Sequence, residues 1–143
     1  MTQSPIDPRL YYETGNLFSP DYGFDGLAVF VPSGLTGFRI AFKQFVEENR
    51  SDIVAVADTN ENHRIYTIDE VPTMVHKALT MLLEHHAVRI GMNAIRTTRG
   101  AGPSEKAVID ATSSWLEKHK DLSNIQIVLV DLRGGFEKYD AIL

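Results

Sequence analysis

The sequence has the length and composition of one globular domain. It contains 143 residues, of which 43% are hydrophobic and 23% are charged, so disordered, collagen-like and low-complexity classes are excluded. A formal net charge of -5 argues against electrostatic capture of duplex nucleic acid or an anionic membrane, and the absence of cysteine excludes disulfides, thiolate metal sites and cysteine nucleophiles.

The N-terminal segment is polar and is interrupted by proline. Residues 1–23 contain three prolines and two glycines, which predicts an irregular arm or edge with at most a short strand. Such a start differs from a signal peptide, and no apolar run approaches the ~20 residues of a membrane span. We therefore expect a soluble, cytoplasmic protein with a single domain over residues 1–143.

Apolar runs predict the strands of a buried sheet. The four central strands are expected at residues 27–31, 53–57, 88–95 and 125–130. A shorter strand, with alternating apolar and polar residues, is expected at 63–68. The continuous apolar runs are typical of strands that are covered on both faces.

Helical spacing of apolar residues predicts three helices between these strands. They are expected at residues 36–49, 71–86 and 103–119, and Pro72 and Pro103 suit a first helical turn. The order β-α-β-β-α-β-α-β predicts a largely parallel sheet with helices on both faces, which is a three-layer α/β/α sandwich. Ligands of such sheets bind outside the carboxyl ends of the strands.

A strand end, a glycine-containing loop and a helix start follow one another at residues 93–105. Unpaired N–H groups at the start of a helix favour an anion, and Gly100 and Gly102 allow the backbone to approach a phosphate closely. The segment therefore predicts a phosphate loop, although it matches neither the dinucleotide-binding glycine motif nor a Walker loop. The alternative is a plain connection in which Arg96 and Arg99 are solvated.

Three segments resemble macro domains. The run AIRTTRGAGPSEKAVIDATSSWLEKHK is similar to the macro-domain segment AISTGxxGFPxxxAAxxAxxxxxxFLxxH. Residues 14–17 (TGNL) are similar to the GDIT signature, and residues 25–29 to the start of the strand that reads DAIVNAAN. The resemblance covers about residues 14–139, and its most specific part is 93–119. It implies a three-layer fold with a mixed, mostly parallel sheet and the binding of ADP-ribose.

The resemblance also implies the residues of a nucleotide cleft. In the family, the Asp of GDIT contacts adenine, and Asn16 stands there in this chain. Phe136 lies where many macro domains present an aromatic ring to the nucleoside, with a core or edge position as the alternative. The nucleotide-binding residues implied are Asn16, Ser33, Gly34, Thr36, Gly37, Arg96, Thr97, Thr98, Arg99, Gly100, Ala101, Gly102 and Phe136.

Departures from the family pattern favour binding over catalysis. Val29 and Pro32 stand where the family has the asparagines of NAAN, one of which helps to orient the distal ribose for hydrolysis. The turn at residues 33–37 lacks the acidic residue of catalytic relatives, and Thr98 replaces the first glycine of the second loop. We therefore expect a divergent macro-like domain that binds ADP-ribose or a related phosphorylated nucleotide without ordinary ADP-ribosyl hydrolysis.

Two alternatives belong to other functional classes. One is an ADP-ribosyl or phosphate hydrolase, which removes ADP-ribose or a terminal phosphate with the help of a non-standard acid such as Asp58 or Asp131. The other is a scaffold that has lost its ligand and acts in oligomerisation or protein interaction, and a homo-oligomer fits either. The five histidines lack metal-ligand spacing, so neither a metal site nor a cofactor is expected.

Overall fold

The computed structural model describes residues 1–31, 36–48, 53–58, 66–95, 101–132 and 134–140. Six strands form one sheet in the order β1-β2-β6-β5-β3-β4. The strands are β1 (Thr2–Gln3), β2 (Leu10–Thr14), β3 (Gly26–Phe30), β4 (Val54–Asp58), β5 (Arg89–Met92) and β6 (Gln126–Asp131). Only β1 is antiparallel to its neighbour, so the sheet is mixed and mostly parallel.

Four α-helices accompany the sheet in the described residues. They are α1 (Thr36–Glu47), α2 (Val71–Glu84), α3 (Ala101–Glu117) and α4 (Gly135–Asp140). Two short 3₁₀ turns lie at Pro20–Tyr22 and Ile68–Glu70. Within the described ranges, no helix is long and apolar enough to cross a membrane.

Successive residues of a strand point to opposite faces of the sheet, and different helices pack against the two faces. Ala28 and Phe30 of β3 belong to a large core cluster with the apolar residues of α2 and α3. Leu27 and Val29 of the same strand point the other way, into a second cluster that includes Phe45 of α1. The structure confirms the three-layer α/β/α arrangement.

Most predicted elements are confirmed, with shifts at their ends. The strands predicted at 27–31, 53–57 and 125–130 each lie within one residue of β3, β4 and β6. The strand predicted at 88–95 is too long, because β5 ends at Met92. The last helix, α4, was not predicted.

Two expectations, one for the N-terminal segment and one for a short strand, were wrong. Residues 1–23 were expected as an irregular arm or edge with at most a short strand, but they supply the edge strand β1 and also β2, which lies inside the sheet next to β6. Leu10 and Tyr12 of β2 are buried, which explains why this strand forms in spite of its flanking prolines. The strand predicted at 63–68 does not continue to its end, since Ile68 begins a 3₁₀ turn, and residues 63–65 lie outside the described part.

Candidate functional site at the carboxyl edge

The carboxyl ends of the five parallel strands form one edge of the sheet. In the registers that pair neighbouring strands, Thr14 at the end of β2 lies beside Asp131 at the end of β6. Phe30 at the end of β3 lies beside Asp58 at the end of β4. The chain enters α1 shortly after β3 and α3 shortly after β5, and β3 and β5 are adjacent. The amino ends of α1 and α3 therefore follow neighbouring strands at this edge.

A buried asparagine joins two of these strand ends. Oδ1 of Asn93 accepts the N–H of Phe30 at 2.8 Å, and its Nδ2 donates to the carbonyl oxygen of Phe30 at 2.8 Å. The side chain thus continues the pairing between β3 and β5 after β5 has ended at Met92. It fixes the point at which the chain leaves β5.

The carboxyl groups of Glu105 and Asp131 meet at the same edge of the sheet, where β6 ends. Glu105 of α3 is 6% exposed, and its two carboxyl oxygens lie with Oδ2 of Asp131 around the point that a Cβ on Gly135 would occupy. Burial raises the pKa of Glu105 to about 7, and the negative charge and hydrogen bond of Asp131 add to that effect. Oδ2 of Asp131 also accepts the N–H of Gly135 at 2.8 Å.

Glycines make the turn between β6 and α4 possible. Gly134 has φ +69°, a left-handed conformation that favours glycine. At Gly135 the reason is space, because a Cβ would overlap both carboxyl oxygens of Glu105 and lie 2.5 Å from Oδ2 of Asp131. The turn also touches the end of β2, where the N–H of Gly15 donates to the carbonyl oxygen of Asp131 at 3.0 Å.

The fold is similar to two solved macrodomain structures. One is a Trypanosoma brucei macrodomain in complex with ADP-ribose, with a TM-score of 0.67 and 12% identity, over 98% of this chain and 74% of that chain. The other is the macrodomain of Thermus aquaticus DarG, with a TM-score of 0.50 and 10% identity, over 85% of this chain and 97% of that chain. The chain has a macrodomain-like fold. No protein-family model and no curated protein matches the sequence, so the three-dimensional structure carries this likeness.

Within the macrodomain-like fold, Asn16 lies just beyond the carboxyl end of β2. It is exposed, and its Oδ1 accepts the N–H of Phe18 at 3.1 Å, which forms a local turn. Thr36 and Gly37 begin α1, and Ala101 and Gly102 begin α3. These residues lie on segments that follow the carboxyl edge.

Several predicted site residues lie outside the described part of the chain. They are Ser33, Gly34, Arg96, Thr97, Thr98, Arg99 and Gly100. The side chains of Thr36, Ala101 and Asp58 are likewise outside it. The described residues nevertheless fix both ends of the predicted phosphate loop, at Ile95 and Ala101.

Phe136 lies in the core, which is the alternative to the nucleoside contact given for it in the sequence analysis. Its side chain is 1% exposed and belongs to the core cluster under α3, instead of presenting an aromatic face to a nucleoside. The physical reason is the turn at Gly134 and Gly135, which directs the first turn of α4 back onto α3. The structure thus gives Phe136 a packing role.

The residues that were considered for catalysis take part in core packing or in turns. Val29, which replaces a family asparagine, is fully buried in the cluster that includes Phe45. Asp131 accepts the N–H of Gly135, which is a turn-forming role. In the described ranges, no group of three or more His, Asp or Glu side chains is placed to hold a metal ion.

Sequence reasoning missed two of the residues that shape the site. Asn93 is a polar residue inside the apolar run VRIGMNAI, and this break in the pattern is the signal that marks it. Glu105 carries no comparable signal, because an acidic residue in the first turns of a helix is common and favourable. Its partner, Asp131, cannot be identified from the sequence, because only the fold places the end of β6 beside α3.

Proposed function

We propose that this protein binds ADP-ribose or a related phosphorylated nucleotide at the carboxyl edge of its sheet. The observation that carries the proposal is the likeness, over 98% of the chain, to a macrodomain that was solved in complex with ADP-ribose. The adjacent β3 and β5 and the helices that follow them agree with this proposal, because helix amino ends and glycine-containing loops favour phosphate groups.

In the proposed complex, the phosphates contact the segments before α1 and α3. Residues 33–37 and 96–102 supply backbone N–H groups, and Arg96 and Arg99 add positive charge to a protein whose net charge is -5. Asn16 contacts the adenine base from the end of β2 through an exposed amide. Phe136 contributes indirectly, by anchoring α4 in the core.

Binding without turnover is the activity that we propose. The buried Val29 offers no polar group to a ribose or to an attacking water. Asp131, which was considered as a non-standard acid, is engaged with Glu105 and with the N–H of Gly135. A polar group that is already held by protein partners is less available to a substrate.

Calorimetric titration and thermal unfolding with ADP-ribose test the proposal, with ADP, NAD and RNA oligomers as comparison ligands. ADP-ribose at a hundred times its Kd should stabilise the fold by roughly 2.7 kcal/mol, a shift of several degrees in Tm. No heat, no shift and no NMR perturbation at millimolar ADP-ribose would contradict the proposal and favour a scaffold without a ligand.

Three variants locate the site. Gly100→Val should lower the affinity sharply, because its side chain would occupy the space of a phosphate. Arg99→Ala should weaken binding less and in a salt-dependent way, as expected for an exposed charge. Lys118→Ala, at an exposed position just after α3, is the matched control and should leave the affinity unchanged. If Gly100→Val destabilises the fold but the folded fraction binds normally, the phosphate site at this loop is wrong.

A further inference from the structure

Glu105 and Asp131 hold three elements together through one pair of acidic groups. Glu105 comes from α3, Asp131 ends β6, and the N–H that Asp131 accepts belongs to Gly135, the first residue of α4. α4 packs against α3, β6 and β2, so this junction sets the position of the whole helix. The absence of a side chain at Gly135 leaves the space that the two carboxyl groups fill.

A hydrogen bond between two carboxyl groups requires a proton. Asp131 already accepts the N–H of Gly135, so the shared proton belongs on Glu105, which then donates to Asp131. If both groups are ionised, the hydrogen bond is lost and two negative charges face each other at a buried position. The junction therefore exists in a protonated form that attracts and an ionised form that repels.

The other charged groups near α3 do not replace this proton. Lys138 of α4 acts on Glu105 in the opposite sense and lowers its pKa, but less than burial and Asp131 raise it. In the 3₁₀ turn that packs on α3, Asp69 is exposed and Glu70 accepts from Thr67. His76 of α2 contacts the carbonyl oxygen of Ala111, more than a turn farther along α3.

We propose that the proton shared by Glu105 and Asp131 operates a latch that docks α4 and its preceding turn onto α3 and β6. With the proton bound, the carboxyl pair, the Gly135 N–H and the buried Phe136 hold α4 in place. Without it, repulsion between the two carboxylates works against the docked position.

The direction of the pH dependence follows from the pKa of Glu105. Its value in the folded protein is about 7, above the ordinary value of 4.5, so the folded state binds more protons between these two pH values. The stabilisation from the latch is fully present at acidic pH and declines as the pH rises toward 7. Above the folded pKa it is lost.

The latch has a consequence for ligand binding, which rests on the proposed function. The carboxyl pair lies at the carboxyl edge, where β6 runs beside β5, and a nucleotide that carries phosphates is an anion. Loss of the shared proton adds negative charge beside that anion and loosens α4 at the same time. ADP-ribose affinity should therefore decrease as the pH rises through 7.

Hydrogen exchange at α4 tests the latch directly in the full chain. The N–H of Lys138, which donates to the carbonyl oxygen of Gly134 at 3.4 Å, reports the first turn of the helix. After correction for intrinsic exchange, its protection should fall at least tenfold between pH 6 and 8.5, with a midpoint near 7. Carboxyl ¹³C NMR should show Glu105 titrating at the same midpoint.

Matched variants separate the latch from general pH effects. Glu105→Gln keeps a donor for Asp131 but does not ionise, so its protection should stay constant over this range. Glu117→Gln makes the same change at an exposed position of α3 and should behave like the native protein. Equal pH dependence in Glu105→Gln and in the native protein, or titration of Glu105 near its ordinary value, would overturn the latch.

A second variant keeps the proposal testable if Glu105→Gln does not fold. Asp131→Asn retains an oxygen for the Gly135 N–H but removes the like charge, so the midpoint of α4 protection should move to lower pH. An unmoved midpoint would overturn the latch. Titration of ADP-ribose at pH 6 and 8.5 is scored separately: no binding at either pH contradicts the proposed function, while the exchange data still decide the latch.

Discussion

The two edges of the sheet are built from opposite electrostatic arrangements. At the amino edge, opposite charges and polar groups are matched: the Arg9 guanidinium pairs with Asp7 and donates to three carbonyl oxygens at and beyond the end of α3. Asp25 accepts the N–H groups of Val88 and Arg89 at the start of β5. At the carboxyl edge, two acidic groups, Glu105 and Asp131, face each other instead, and they carry like charges only when both are ionised.

If the proposed function holds, this difference separates residues that stabilise the fold from residues that also take part in binding. The amino edge satisfies backbone groups with side chains of the appropriate charge, which fixes the strands and the end of α3. The carboxyl edge contains glycines, a side chain that replaces backbone pairing and a carboxyl pair that needs a proton. Substitutions at the first edge should therefore change stability alone, and those at the second should also change ligand binding or pH dependence.

The largest effect is expected from Arg9→Met at the amino edge. Asp7 would lose the partner that keeps its pKa below the ordinary value, and three carbonyl oxygens would lose a charged donor. Removing one partner of a mostly buried ion pair should lower the free energy of unfolding by about 3–5 kcal/mol, measured by urea denaturation.

The control for Arg9 is Lys120→Met, which removes an exposed ion pair with Glu117 and should cost well under ~1 kcal/mol. Nucleotide affinity of the folded fraction of Arg9→Met should equal that of the native protein. A change in affinity would contradict the division between the two edges.

The second effect concerns Asn93, at the carboxyl edge. Asn93→Ala would leave the buried N–H and carbonyl oxygen of Phe30 without this partner and should cost about 3 kcal/mol in urea unfolding. Asn93→Asp, which retains the acceptor but loses the donor, is the matched comparison. Affinity for ADP-ribose should fall in both variants, because β3 and β5 lead into both proposed phosphate segments. Normal affinity with reduced stability would make Asn93 a purely structural residue.

A smaller loss is expected from Gly135→Ala. The new Cβ would overlap the carboxyl group of Glu105, so either this buried carboxyl group or the turn must shift, at a cost of about 2 kcal/mol. Glu105→Ala in the same chain removes the nearer of the two carboxyl groups that a Cβ would meet, and the double variant should be more stable than the sum of the two single changes indicates. Additive losses in thermal unfolding would show that the two residues do not compete for this space.

The smallest effect is expected in an assay of turnover. Since Val29 offers no polar group, release of ADP-ribose from a modified protein should be negligible, measured by chromatography of the released nucleotide. Robust turnover that a substitution within residues 96–102 abolishes would reveal a different catalytic arrangement. Turnover that survives such substitutions would indicate another site or a contaminant.

Much of the layered fold was predictable because it depends on local patterns. The runs around Val29 and Val128 are apolar on both faces, and this property alone marks central parallel strands. The strand at Leu10–Thr14 was not predictable in the same way, because prolines precede it and its burial depends on pairing with β6. Secondary structure that needs a distant partner is weakly encoded in its own residues.

The sequence predicts where a site would lie, and that prediction is untested, but it does not predict how the residues at this edge contact one another. The loop after β5 and the glycines near residue 100 indicate the carboxyl edge directly. The contacts at this edge are made by Asn93, Glu105 and Gly135 with residues that are distant in sequence. The spacing of residues along the chain does not predict such contacts. The core position of Phe136 has the same origin, since the turn before it decides where its ring points.

The position of β6 in the sheet also determines when the protein can fold during synthesis. β6 lies between β2 and β5, although it comes last in sequence among the strands that the structure describes. Until the ribosome has released residues 126–131, β2 has no parallel neighbour, and Leu10 and Tyr12 lack the strand beside them. In the nascent chain, β2 therefore has β1 beside it but lacks its parallel neighbour until residues 126–131 have emerged, so β2 joins the sheet after β3, β4 and β5 have become able to pair.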